Sequence, residues 1–129
     1  MAHANVELLR KGYAAFDAGD LDTIRALFAD DIIWHVPGRN PLSGTLKGKD
    51  EVFGWFAKLL TITEGTAKIA VHSVIADDTH GVVLGTSSAS RGGRSLSLNT
   101  ADVFHIRDGQ VTEAWFFTDD QYAEDEFYA

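Results

Sequence analysis

Cysteine is absent from this 129-residue chain, so it can hold no disulfide, no thiolate nucleophile and no cysteine-ligated zinc. Basic residues are scarce. Against 19 Asp and Glu there are 11 Lys and Arg, a formal net charge of -8, and the excess gathers between Asp119 and Glu126. Neither nucleic acid nor an anionic membrane suits such a surface as a partner. No apolar run approaches the length of a membrane span, and Met1 to Glu7 lacks the basic-then-apolar order of a secretion signal. A cytoplasmic location is expected. There is no glycine-rich phosphate loop, because Gly44 and Gly48 flank a turn and Gly92-Gly93 closes a hairpin, and no histidine and carboxylate have the spacing of a helical metal site. The expectation is therefore no cofactor and no metal. With no repeat, no low-complexity stretch, no linker and 45% hydrophobic residues, the chain reads as one domain spanning residues 1–129.

What is present divides into helices first and strands last. Leu8, Leu9, Tyr13 and Phe16 recur at helical spacing from about Asn5 to Ala18, with Asn5 as the cap and Gly19 as the stop. Asp20 caps a second helix carrying Leu21, Ile24, Leu27 and Phe28, and Asp30-Asp31 ends it before a short strand from Ile32 to Val36. Pro37, Gly38, Pro41 and Gly44 mark a loop. A third helix starts near Asp50, its expected cap, and turns Val52, Phe53, Phe56, Leu59 and Leu60 inward. After Gly65 the period changes to two. Strands are expected at about 67–76, 81–90, 95–107 and 111–118, joined by turns at Asp77-Asp78, residues 91–94 and Asp108-Gly109. This order predicts an α+β fold: a cone-shaped, curved antiparallel β-sheet wrapped around three N-terminal α-helices. The open end of such a cone is a natural small-molecule pocket.

Asp102 breaks the pattern of its own strand. The even positions from Leu96 read Leu96, Leu98, Thr100, Asp102, Phe104 and Ile106, an apolar face with a carboxyl in its middle. A carboxylate there has to be hydrogen-bonded, protonated or beside water in a cavity. The other reading is a β-bulge that turns Asp102 outward. Apolar even positions on both sides favour the unbroken register and a pocket-facing Asp102.

Other segments carry a family resemblance. YAAFDAGDLDTIRALFADD from Tyr13 to Asp31, WHVPG at Trp34 to Gly38, LSGTLKGKDEV at Leu42 to Val52 and VFHIRDGQVTEAWFF at Val103 to Phe117 resemble the SnoaL-like proteins of the ketosteroid-isomerase and nuclear-transport-factor superfamily, nearly end to end. The resemblance implies a cystatin-like α+β barrel of the nuclear-transport-factor type. It also places Asp102 at the position of the steroid isomerase's oxyanion-hole aspartate, which donates a hydrogen bond in its protonated form. The isomerase's base position matches Val36, its tyrosine donor matches Gly12, one place before Tyr13, and the second aspartate of the epoxide hydrolases matches Phe116. Neither chemistry is expected in its known form.

The remaining acid/base candidates are histidines. His35 is a base if it faces the pocket, whereas strict alternation from Pro37 puts Trp34 and Val36 inward and His35 on the other face. His72 is a second base candidate, or a hydrogen-bonded histidine on a sheet or dimer surface. Tyr13 is a polar anchor. His3, His80 and His105 receive no role. Phe16, Trp34, Val36, Phe56, Leu60, Thr100, Phe104 and Phe116 are expected to line a site for a small hydrophobic molecule. Trp115 and Phe117 then face outward and suggest a homodimer through the β-sheet. The reading that follows is a cofactor-independent acid/base enzyme of isomerase, cyclase or hydrolase type acting on a hydrophobic substrate. Its alternatives are a non-catalytic binding domain for a small hydrophobic ligand and a structural dimer with a vestigial cavity.

Overall fold

Helix α1 (Ala4–Asp17) does not begin on an Asn5 cap. In the computed structural model, which describes residues 3–129, His3 is the cap and its Nδ1 accepts from the Asn5 backbone N–H at 3.1 Å. The Asn5 side chain is used elsewhere, donating to the carbonyls of Asp77 and Asp78 and tying α1 to a distant turn. Gly19, at φ +71°, supplies the left-handed residue that stops α1. Asp20 caps α2 (Leu21–Leu27) as expected, accepting from the Thr23 N–H at 3.1 Å.

Strand β1 runs from Phe28 to Val36 and is longer than its sequence pattern suggested. Phe28 belongs to the strand, where it pairs with Val111, and the exposed Asp30 and Asp31 lie within it at a register irregularity between Phe28 and Ile33. The expected loop after Pro37 contains a four-residue strand, β2 (Gly44–Lys47), which pairs antiparallel with β1. Helix α3 (Lys49–Ile62) starts from Gly48 at φ +87°, with no side-chain cap; Asp50 lies in its first turn rather than at its cap. Its buried residues Val52 and Phe56 face the sheet.

Strands β3 (Lys68–Ala76), β4 (His80–Arg91), β5 (Arg94–Arg107) and β6 (Gln110–Thr118) form the meander that the sequence predicts. The sheet order is β2-β1-β6-β5-β4-β3. One pair departs from the expected all-antiparallel sheet: β1 runs parallel to β6. The meander fills the centre and far edge, so the early β1–β2 hairpin adds to the free side of β6. Architecture is α+β, a curved, unclosed six-stranded sheet with helices packed against it.

A fourth helix follows the strands. Helix α4 (Gln121–Tyr128) is capped by Asp120, which accepts from the Ala123 N–H at 3.0 Å. It buries Phe127 and Tyr128 in a cluster with Leu42 and Ala89, and Arg91 and Arg94 donate to the Phe127 carbonyl at 3.0 and 3.3 Å. The acidic stretch is thus a docked helix as well as a source of surface charge. No helix among the described residues is long and apolar enough to cross a membrane.

Candidate active site

The register of β5 settles which way Asp102 points. Its pairing with β4 is unbroken from Arg91↔Arg94 to His80↔His105, and the irregularity against β6 falls beyond it, between His105 and Ile106. Asp102, flanked across the sheet by Val83 and Phe116, therefore stays on the core face and is 4% exposed. No bulge turns it outward.

Between the helices and this face lies a cavity of about 180 Å³ with a predominantly apolar wall. Tyr13, Phe16, Trp34, Val36, Phe56, Thr100, Asp102, Phe104 and Phe116 all line it. Leu60 does not; one residue earlier on α3, Leu59 takes that place. On a helix one residue is about 100° of rotation, enough to turn a side chain off the wall. The aromatic rings hold one another in place: Tyr13 meets Phe104 edge-on at 6.2 Å, Phe16 meets Phe56 at 5.9 Å and Trp34 meets Phe116 at 4.6 Å.

The chemical centre of the cavity is a pair of side chains from α1 and β5. The Tyr13 hydroxyl donates directly to Asp102 Oδ2. Burial pushes the Asp102 carboxyl up to about 7; the Tyr13 hydrogen bond opposes that rise and the charge of Glu124 adds to it. The Tyr13 phenol is held well above its ordinary value, chiefly by burial and then by the neighbouring Asp102 charge, so it remains a donor throughout the neutral range. A carboxyl that titrates near neutrality can both give and take a proton at pH 7.

Sequence reasoning missed Glu124. It projects from α4 into the cavity wall, and its carboxyl is raised by burial, opposed by a hydrogen bond with Gln121 and raised further by Asp125. The signal was present in Asp120 as a helix cap and Phe127-Tyr128 as an apolar anchor, but the run of carboxylates reads first as surface charge. Among the described residues, the lining contains no lysine, arginine or histidine.

Neither histidine proposed as a base reaches the cavity. His35 lies on the opposite face of β1, as strict alternation between Trp34 and Val36 requires. Its Nε2 meets Glu113 Oε2 at 2.6 Å, its Nδ1 meets Thr45 Oγ1 at 3.3 Å, and its ring stacks on Trp115 at 5.2 Å. His72 is exposed at an irregularity in β3 between Val71 and Ser73, with Thr86 Oγ1 at 3.5 Å as its hydrogen-bond partner. Phe117, expected to face outward, is 55% exposed yet also borders the cavity. Among the described residues, no group of three or more His, Asp or Glu side chains is placed to hold a metal ion.

Comparison with known proteins gives a consistent result. A family model described as a SnoaL-like domain matches residues 9–114. An uncharacterized protein of Mycobacterium tuberculosis H37Rv, Rv0034, is 30% identical over 128 residues, covering 98% of this chain and 97% of its own. Among solved structures, Bal32a from a soil-derived mobile gene cassette superimposes with a TM-score of 0.94 at 35% identity, covering 98% of this chain and 97% of that one. TerC, co-crystallized with polyporic acid, gives 0.87 at 25% identity and covers 98% of both chains.

Proposed function

Because the chain belongs to the SnoaL-like domain family, of the nuclear-transport-factor-like superfamily, we propose that its cavity takes up a small hydrophobic molecule and that Asp102 exchanges a proton with it without a cofactor, in an isomerase, cyclase or hydrolase type of reaction. The observation that carries this reading is the Tyr13–Asp102 pair sealed into an apolar wall, with the carboxyl pushed up to about 7. Tyr13 orients Asp102, and protonated Asp102 donates to an oxygen of the substrate. With His35 and His72 outside the cavity, Glu124 is the remaining carboxyl in the wall that can accept a proton. Glu124 and Asp102 are both carboxyls raised by burial, held on different elements with different partners, and two titrating groups in different environments can divide into acid and base. The crystallization of TerC with polyporic acid supports a small-molecule role for this kind of fold.

A non-catalytic binding domain is the second reading, favoured by the absence of both histidines from the wall. A screen of apolar ketones, epoxides and polyketide-like aromatics, with binding and product formation followed in parallel, separates the two. Conversion is expected, with kcat/KM falling as pH rises through about 7, because the protonated form of Asp102 is the acid. Glu124→Gln should lower the rate while preserving binding. Tight binding with no product, unchanged in Asp102→Asn, would contradict catalysis.

We also propose that two copies associate through the outer face of the sheet, where Trp115 stacks on His35 and Phe117 and Ile75 are exposed. Sedimentation equilibrium should give a dimer at micromolar concentration, and Trp115→Glu should shift it toward monomer with its helical circular dichroism intact. A wild-type monomer under those conditions contradicts the proposal.

A further inference from the structure

Trp34 presents a polar atom that none of the described residues uses. The residue is 5% exposed and lines the cavity, and among the described residues its Nε1 is the one buried side-chain nitrogen or oxygen without a hydrogen-bond partner. The contrast with Trp55 is direct, since that indole donates to the Leu42 carbonyl at 2.9 Å. A buried donor left unpaired costs stability, so a retained one calls for an explanation. Phenylalanine would pack among Phe28, Phe56 and Phe116 without that cost.

We propose that the Trp34 indole N–H is a second polar contact of the cavity, donating to an acceptor oxygen at the end of the ligand away from Asp102. This rests on the reading of the cavity as a ligand site. Position follows from the sheet register. Trp34 pairs with Ala114, Ala114 with Phe104, and Asp102 with Phe116. Trp34 and Asp102 thus share a face, two strands and one inward-facing step apart, which is roughly 10–12 Å between Cα atoms for standard strand spacing and rise. Both side chains border the cavity, and Phe116, the strand partner of Asp102 with its ring 4.6 Å from that of Trp34, lies between them as an apolar face on which a ring-sized body can rest. The ligand class is then a compact, unsaturated or aromatic molecule with oxygens at opposite ends: one facing the Tyr13–Asp102 pair and an acceptor, such as a ketone, facing Trp34. Because the indole does not titrate, this second contact persists at pH values where the Asp102 contact changes.

Two probes of nearly equal shape test the inference: 6-hydroxy-2-acetonaphthone and 6-isopropenyl-2-naphthol, which lacks the ketone oxygen. Calorimetry on the wild type should show the ketone binding about tenfold more tightly, the size of one ordinary hydrogen bond. That preference should disappear in Trp34→Phe, and the ratio between probes cancels any general effect of the substitution on packing. In the unmodified protein, the Trp34 indole N–H resonance should move downfield with the ketone and not with the alkene, a readout that needs no variant. A preference that survives Trp34→Phe, or an indole signal indifferent to the ketone, would overturn the inference and leave the N–H directed at a neighbouring ring. Equal binding of both probes by the wild type overturns this contact alone. Failure of both to bind overturns it together with the ligand-site reading.

Discussion

Asp102→Asn should melt about 5–10 °C higher than the wild type at pH 8, with the difference shrinking as pH falls below about 7 and closing near pH 4. The sign follows from the direction of the shift. Burial raises the folded-state value of Asp102 to about 7 from an ordinary 3.8. Between those limits the folded chain retains a proton that the unfolded chain has released. The favourable contribution is therefore complete below about pH 4 and is lost as pH rises through about 7, a change on the order of 2–4 kcal/mol. Asparagine keeps the shape and can still accept from Tyr13, but it has no charge to bury. Thermal melts at pH 5, 6.5 and 8 check this. An Asn variant destabilised equally at all three would show that Asp102 carries no ionisation penalty.

The same substitution should have the largest effect on chemistry. Once a substrate is in hand, Asp102→Asn should lower kcat by about 10²–10⁴-fold, the usual contribution of a positioned acid or base. Ligand affinity should change by no more than roughly one hydrogen bond, about 0.5–1.5 kcal/mol. Tyr13→Phe should act differently. Its hydroxyl lowers the Asp102 value relative to burial alone, so removing it should move the fall of kcat/KM with pH to above 7. Parallel pH profiles of the wild type and Tyr13→Phe check the direction. A limb that moves down, or stays put, would remove Tyr13 from the control of Asp102.

These expectations rest on the part of the molecule that the chain makes most legible. Apolar residues at every second position around Asp102 hold its strand in one register, and the slip that would have reversed it occurs past His105. Tyr13 follows from the helical period of α1. Alternation also governs β1, where Trp34 and Val36 face inward and His35 cannot. Less legible was whatever depends on distant partners. The four residues of β2 carry little pattern of their own and become a strand by pairing with β1, while the parallel β1–β6 contact joins segments at opposite ends of the chain. Gly48 starts α3 without a side-chain cap, so Asp50 attracted the assignment. Leu59 displaced Leu60 by a single helical step. Glu124 was hidden by its neighbours, because a carboxylate among carboxylates gives no local sign that one of them turns inward.

The central claim, a buried Asp102 carboxyl that changes protonation near neutrality beside the Tyr13 hydroxyl, has a direct measurement. Carbon-13 NMR titration of the aspartate carboxyl groups, with the Asp102 signal assigned by its loss in Asp102→Asn, reads its protonation without any substrate. The account predicts a midpoint close to 7. A midpoint near the ordinary aspartate value of 3.8 would contradict it.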